Sequence, residues 1–406
     1  MNKILYFDNW DKGYRNFLRL DLGFKEKGFE TLLLHTSSLI FDDVEKEKEI
    51  DGLKLKDISF YKTKRIKKVF KYEKPDIVII LNLSFLIDRA IVKICKDLNI
   101  KIFHLSHGKL IPKDSISVVK SIVEKENKFG LLSKISKKNV FAAFNYFSEY
   151  PNPIHFFKFI NKAIKNPMEY TLFPRFSDEL EVNKSLVYYP SDYEIMINEF
   201  GFPEHMVEVV GNPELDNFFH AKILDRDFFL KNHLNIESNK YVAYFDDGLA
   251  LIYGWDTSKW LSFLEDLNEV LIKENLKLIV KLHPRRDITD CVSFFEANNI
   301  KYFYDIDFKN LINHSLFVIS HFSSVIIYAL LLNKIVKSPR WGLSEGLEEK
   351  YPEGIVTYYY NKLDFEQKLL NVDVNEESIK NYLFDSIGKV DGNAIPKIIN
   401  IITSND

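Results

Sequence analysis

Apolar runs and amphipathic stretches alternate along most of the chain. KILYFDN, ETLLLHT, DIVIILNL and KIFHLSHG are short, rich in aliphatic and β-branched residues and closed by polar turns, which predicts strands. FLRLDLGFKEKG and LIDRAIVKICKDLN lie between them and read as helices. Strands spaced by helices of this length are the pattern of βαβ units around a parallel sheet. From about 113 to 180 the alternation loosens into an aromatic and Lys-rich region that reads as a helical insertion or lid. It resumes in SLVYYPSDYEIMINEFGFPEHMVEVVGNPELD: a strand, a helix from Ser191 or Asp192, a turn at Gly201, and a strand ending in Gly211-Asn212-Pro213, where Gly211 to Glu214 shape an interdomain turn. A second set then follows, with strands in KYVAYFDDG, LKLIVKLHPR, IKYFYD, SLFVISHFSS and KIVKSP and helices around WLSFLEDLNEVLIKEN, DFKNLINH and VIIYALLLN.

The pattern predicts an α/β protein of two Rossmann-like domains, each with its own parallel sheet, facing across a cleft. Residues 1–210 form the first, with the insertion at about 113–180. Residues 211–387 form the second, with the break between 210 and 220, and a last helix within 388–406 is free to pack back across it. The 406 residues are two to three times the ~150 that serve as a prior for one domain, which agrees with two. A chain that is 46% hydrophobic and 28% charged, with 15 Gly and 13 Pro, is neither disordered nor low-complexity.

Charge narrows the class of partner. The 55 Lys+Arg against 58 Asp+Glu leave a net charge of -3, and no recognition motif accompanies them, so nucleic acid is not an expected partner. One local bias survives. Residues 51 to 75 carry nine Lys/Arg against three Asp/Glu with Phe60, Tyr61, Phe70 and Tyr72 interleaved, the composition of a solvated helix face or of one leaning on an anionic membrane surface. The N-terminus MNKILYFDNWDKGYRNF meets Asp8, Asp11, Lys12 and Arg15 too early for a signal peptide. No apolar run reaches the ~18 residues of a membrane span. Cys95 and Cys291 have no CxxC neighbour and read as buried thiols in a reducing compartment, so a cytoplasmic protein is expected.

Open parallel sheets bind ligands beyond the C-terminal ends of their strands, so polar residues at those ends are the candidates for chemistry. FHLSHG places His107-Gly108 at one such end. An imidazole accepts protons near neutral pH, and glycine admits a close substrate; a structural turn is the competing reading, and His104 the less exposed competitor. KLHPRR places His283 at another, extended by Pro284 and surrounded by Lys281, Arg285 and Arg286, which together resemble a phosphate clamp. SHFSSVIIYALLL follows a strand with a turn in which Ser323 or Ser324 caps a helix, so that cap and anion site coincide. Asp246-Asp247-Gly248 ends the strand YVAYF and offers an acid, a base or a sugar-hydroxyl acceptor. GxGxxG, GKS/T, HExxH, GxSxG and EF-hand patterns are absent, so neither a bound cofactor nor a metal is expected.

On these residues the chain resembles the GT-B glycosyltransferases. EFGFPEHMVEVVGNPELD is similar to their segment leading into the nucleotide-binding domain. KLHPR and HFSSVI resemble the HP and SS motifs of bacterial sialyltransferases, polysialyltransferases, capsular Kdo transferases and CDP-glycerol glycerophosphotransferases, and His107-Gly108 looks like the HG pair of the last group. The resemblance implies that His283, Ser323 and Ser324 hold donor phosphate, assisted by Lys281, Arg285 and Gly108, and that His107 deprotonates the acceptor. Asp246-Asp247-Gly248 matches the sialyltransferase D/E-D/E-G motif in letters, making Asp247 a second catalytic candidate, although it stands on the first strand of the second domain rather than in the first domain. The implied activity is an inverting, metal-independent transfer from a cytidine nucleotide, such as CMP-sialic acid or CMP-Kdo, to a hydroxyl of a lipid-linked or cell-surface glycan in capsule or lipopolysaccharide synthesis. CDP-glycerol or CDP-ribitol phosphotransfer, UDP-sugar 2-epimerisation and a non-catalytic polysaccharide-binding or assembly role are the alternatives.

Overall fold

The computed structural model describes residues 2–110, 136–154, 156–157, 161, 175–237, 240–251, 253–343, 351–352, 354–371 and 375–404. It divides into two compact units. One comprises Met1–Phe219 with Ser386–Asp406, the other His220–Asp385.

In the first unit eight strands lie in the order β3-β4-β2-β1-β5-β6-β7-β8. They are β1 (Lys3–Asp8), β2 (Glu30–His35), β3 (Glu47–Ile50), β4 (Leu53–Asp57), β5 (Ile77–Ile80), β6 (Lys101–Leu105), β7 (Lys184–Val187) and β8 (Val207–Val209). All neighbours are parallel except β3 and β4. The central strands read as continuous apolar runs because helices cover both faces, and alternate residues therefore serve two cores. Leu5, Phe7, Val78 and Ile80 pack with helices α2 (Ile66–Glu73) and α3 (Leu86–Leu98). Ile4, Tyr6, Ile77 and Ile79 pack with α1 (Tyr14–Glu26) and with the terminal helix Ala394–Thr403. That terminal helix returns to α1 because Gly23 makes room: a Cβ there would stand 2.2 Å from Ile399 Cδ1. Fully buried side chains of this kind contribute roughly 1.5–3 kcal/mol each.

Two expectations change here. The stretch 51–75, read as one basic face, begins as the hairpin β3–β4, whose turn places Asp51 and Gly52 at φ 48° and 84°, as a tight two-residue hairpin loop demands. Gly211 to Glu214 form no simple turn, since β8 stops at Val209 and Pro213 opens the helix Pro213–His220. The helix expected near Ser191 or Asp192 is present as Pro190–Glu194, opening on Pro190, where a missing N–H costs nothing. Within the expected insertion, Lys137–Glu149 is a helix capped by Ser136, whose Oγ accepts from the Asn139 N–H at 3.2 Å. Most of the remainder of that insertion lies outside the described residues.

The second unit carries a six-stranded sheet ordered β11-β10-β9-β12-β13-β14, every pairing parallel. The strands are β9 (Tyr241–Phe245), β10 (Lys277–Lys281), β11 (Lys301–Phe303), β12 (Val318–Ile319), β13 (Val336–Pro339) and β14 (Thr357–Tyr359). Helix Thr257–Lys273 packs Trp260, Phe263, Leu264 and Leu267 on this sheet, with Asp256 as its cap. The order brings the C-terminal ends of β10, β9 and β12, which carry the HP, DDG and SS residues, side by side. Among the described residues no helix is long and apolar enough to cross a membrane. Cys95 and Cys291 are both buried.

Candidate active site

His107 stands two residues beyond β6 and is exposed. Its Nδ1 lies 3.1 Å from the Leu81 carbonyl oxygen. A carbonyl only accepts, so Nδ1 carries the ring proton and Nε2 is bare, the arrangement a general base needs. His104 takes no such part: it is buried, its Nδ1 is 2.7 Å from Ser185 Oγ, and burial, reinforced by the neighbouring His107, pulls its pKa down to about 3. His107 lines a cavity of about 140 Å³ with Gly108, Ser106, Asn82 and an apolar wall. A Cβ on Gly108 would meet nothing within 4 Å, so the fold itself does not require glycine there.

The strand-end loop that carries His107 is held from β7. Asp192, buried in the first turn after Pro190, accepts the Leu110 N–H at 2.9 Å. Burial raises its carboxyl to about 6 despite that hydrogen bond and the charge of Lys109.

In the second unit His283 stands two residues beyond β10. Its Nδ1 accepts the Arg285 backbone N–H at 3.2 Å, so the ring proton sits on Nε2. Burial, with Arg285, Arg286 and Lys281 adding to it against the pull of Asp246, lowers its pKa and keeps the ring neutral at pH 7. The ring is thus an Nε2–H donor suited to a phosphoryl oxygen. Lys281 is half-buried, donates to the Leu282 carbonyl at 3.0 Å, and has its pKa lowered by burial. Arg285 is exposed. Ser323 Oγ accepts the Val325 N–H at 3.3 Å at the start of Val325–Leu331, whereas Ser324, at the cap position, makes no side-chain capping bond. The cap expected of either serine therefore belongs to Ser323, and the exposed Ser324 hydroxyl is left outside it.

The Asp246-Asp247 pair departs from expectation. Asp246 forms a buried two-point ion pair with Arg286, Nε to Oδ2 at 3.0 Å and Nη2 to Oδ1 at 3.2 Å, and receives the His283 N–H at 3.4 Å. Arg286 lies 4.1 Å over the Trp260 ring. Asp247 is buried on the other side. Ser320 Oγ donates to it at 3.0 Å, Phe322 N–H at 3.1 Å, His321 Nδ1 lies at 3.2 Å and the His321 N–H is bonded as well. Both carboxylates are filled with donors. Asp246 ties down the HPRR turn and Asp247 ties down the SHFSS turn, so Asp247, a catalytic candidate by sequence, serves as an anchor of the neighbouring strand end.

Asp8, at the end of β1, escaped the sequence reading except as an early charge. In the order β1-β5-β6 it lies two strands from the His107 loop. Burial raises its carboxyl, against Trp10 and Asn9 N–H groups and the charges of His107 and Lys138. A Cβ on Gly13 would fall 1.9 Å from Asp8 Oδ2, so only glycine lets α1 start over this carboxylate. A strand-terminal acid followed by a glycine opening a helix is the signal that could have found it.

No family model matches the chain, and no curated protein matches it. Solved structures do. The UDP-GlcNAc 2-epimerase of Methanocaldococcus jannaschii shares 14% identity over 99% of this chain and 99% of its own, with a TM-score of 0.53. The wall teichoic acid polymerase TagF shares 14% identity over 99% of this chain and 88% of its own, also at 0.53. The glycotransferase of kitacinnamycin shares 11% over 99% and 98%, again at 0.53. The fold is GT-B. At such identities the likeness carries architecture and not substrate, and this GT-B chain shares its fold with transferases and epimerases alike.

Proposed function

We propose that this GT-B chain is a glycosyltransferase that moves a sugar from a cytidine nucleotide to a hydroxyl of a lipid-linked or cell-surface glycan in capsule or lipopolysaccharide synthesis. The observation that carries the reading is the pair of strand-end histidines held in opposite tautomers, a bare Nε2 at His107 and an Nε2–H at His283. The acceptor hydroxyl gives its proton to His107 Nε2 as its oxygen bonds the anomeric carbon. The bond from that carbon to the phosphate oxygen breaks, and its electron pair leaves with the nucleotide. His283 Nε2–H, Lys281, Arg285 and the Ser323 and Ser324 hydroxyls meet the charge that develops on the departing phosphate.

The membrane-facing part of the reading rests on α2. Lys64, Arg65, Lys68, Lys71 and Lys74 are exposed, while Lys56 and Lys67 are taken up by Glu73, Asp97 and Glu149. Exposed Phe144, to whose ring Arg65 lies 5.6 Å, and Phe157 add the apolar component of an interfacial surface at the inner face of the membrane. Co-flotation with anionic but not neutral vesicles is the expected behaviour, and equal flotation with both would remove this part.

The test of the activity is a donor panel of CMP-sialic acid, CMP-Kdo, CDP-glycerol, CDP-ribitol and UDP-sugars with mass-spectrometric detection of product. Transfer from a CMP-sugar is expected. Product only from CDP-alditols would move the reading to phosphotransfer, and C2-inverted UDP-sugar without transfer would make the chain an epimerase. Thermal stabilisation by no nucleotide would contradict catalysis altogether.

A further inference from the structure

Between the end of β4 and the outer side of α2 lies a cavity of about 320 Å³ that neither proposed catalytic histidine lines. Asp57 Oδ1 accepts the Ser59 N–H at 2.8 Å and starts a single helical turn, Ile58–Tyr61, which Lys62 ends at φ 51°. The rings of Phe60 and Tyr61 then meet edge to face at 5.1 Å, and those of Tyr61 and Tyr72 at 5.9 Å. Tyr61 is fixed there by its hydroxyl, which donates to Glu73 Oε1 at 2.7 Å. Lys56 lies 4.6 Å over the Phe60 ring, so the open aromatic surface is that of Tyr72, which is 69% exposed. Lys62 and Lys68 are exposed and line the same cavity, and their ammonium groups have no partner among the described residues. Glu73 does not answer them, since it is already met by Lys3 at 2.6 Å and Lys56 at 3.1 Å.

We propose that this cavity binds an anionic sugar residue of the glycan, a pyranose bearing a carboxylate or a phosphate, as a second hold outside the cavity at His107. The apolar C–H face of the ring packs on Tyr72, and the anionic substituent meets Lys62 and Lys68. The volume stands at the lower end of the roughly 300–1,000 Å³ of small-molecule sites, which suits one ring with its substituents. Two unanswered cations call for an anion. A neutral sugar would leave both of them unmet. Bare phosphate would leave the aromatic wall uncovered, and a phospholipid headgroup satisfies the cations but brings no ring to Tyr72. The inference rests on the reading of the chain as a transferase acting on a glycan, whose acceptor or product is held here.

Saturation-transfer NMR on the full chain, without nucleotide or vesicles, tests this with the methyl glycosides of glucuronic acid and N-acetylneuraminic acid and with glucose 6-phosphate. Methyl glucoside and glycerol 3-phosphate, the latter standing for a lipid headgroup, are the controls. Ring protons of the anionic sugars should receive saturation and both controls should receive little, and added salt should weaken the binding. Tyr72→Ala should reduce affinity by about 3- to 10-fold, the worth of one aromatic contact. The double variant Lys62→Gln with Lys68→Gln should reduce it by a similar factor, as for screened ion pairs. Neither change should move the melting temperature, since all three side chains are exposed. Equal signals from methyl glucoside and methyl glucuronide, or unaltered affinity in both variants, would overturn the site. Glycerol 3-phosphate bound as well as the glucuronide would reassign the cavity to a lipid headgroup and overturn it too. Tyr72-dependent binding without transfer from any donor would keep the site and sink the transferase, whereas transfer without such binding would sink the site alone.

Discussion

His107 and His283 occupy equivalent places, each two residues beyond a parallel strand in its own unit, yet their surroundings fix them in opposite senses. His107 meets a carbonyl, which forces the proton onto Nδ1 and bares Nε2. His283 meets a backbone N–H, which empties Nδ1 and leaves the proton on Nε2, with burial, aided by three cationic side chains, keeping the ring from taking a second. In the proposed function, one residue type at one topological position thus serves as a base in the first unit and as a donor in the second. The difference lies in the polarity of a single main-chain neighbour, so the local backbone, more than the motif, assigns the role.

The comparison breaks most visibly at His107. His107→Ala should lose about 10²–10⁴ in turnover, the usual worth of a general base, with nucleotide affinity unchanged in calorimetry. Full turnover would remove the base. Removing the anchor under His283 comes next: Asp246→Ala strands the buried Arg286 charge and should cost about 3–5 kcal/mol in urea unfolding. A variant as stable as the parent would show that the HPRR turn holds itself.

His104 sharpens the contrast inside the first unit, because it is the histidine that should never charge. Its folded pKa of about 3 lies below the unfolded value near 6.5, so it affects stability little above pH 6.5 and removes stability as the pH falls from there toward 3. The loss at pH 4 should be on the order of 3 kcal/mol, and His104→Gln should flatten that acid limb; an unchanged limb would contradict the assignment. The smallest effect is at the donor side. His283→Ala should weaken nucleotide binding by about 10- to 100-fold, as for one hydrogen bond to a charged group. His283→Gln, which keeps an N–H near the Nε2 position, should recover part of it, while His107→Gln should recover no turnover.

Much of the scaffold was legible because its signals are local. Runs such as ILYF and IVII with intervening helices announce a doubly covered parallel sheet, and LKLIVKLHPR and LFVISHFSS announce strand ends with polar turns. The β3–β4 hairpin was hidden because the charges around Asp51-Gly52 drew attention from its alternation. The candidate residues could be placed at strand ends from the sequence, but the partners that surround each of them could not. The partner that sets the His107 tautomer, Leu81, lies on a neighbouring strand end, and the donors that occupy Asp247 come from the end of β12. Such pairings exist only once the sheet order is known. Asp8 was passed over for the same reason, since nothing in YFDNW reveals that β1 lies two strands from β6.

The central claim is tested most directly by long-range ¹H–¹⁵N correlation NMR of histidine-labelled protein above pH 8, with His107→Gln and His283→Gln variants assigning the two rings. The account predicts the proton on Nδ1 of His107 and on Nε2 of His283. The same tautomer at both rings, or the reverse pair, would contradict it.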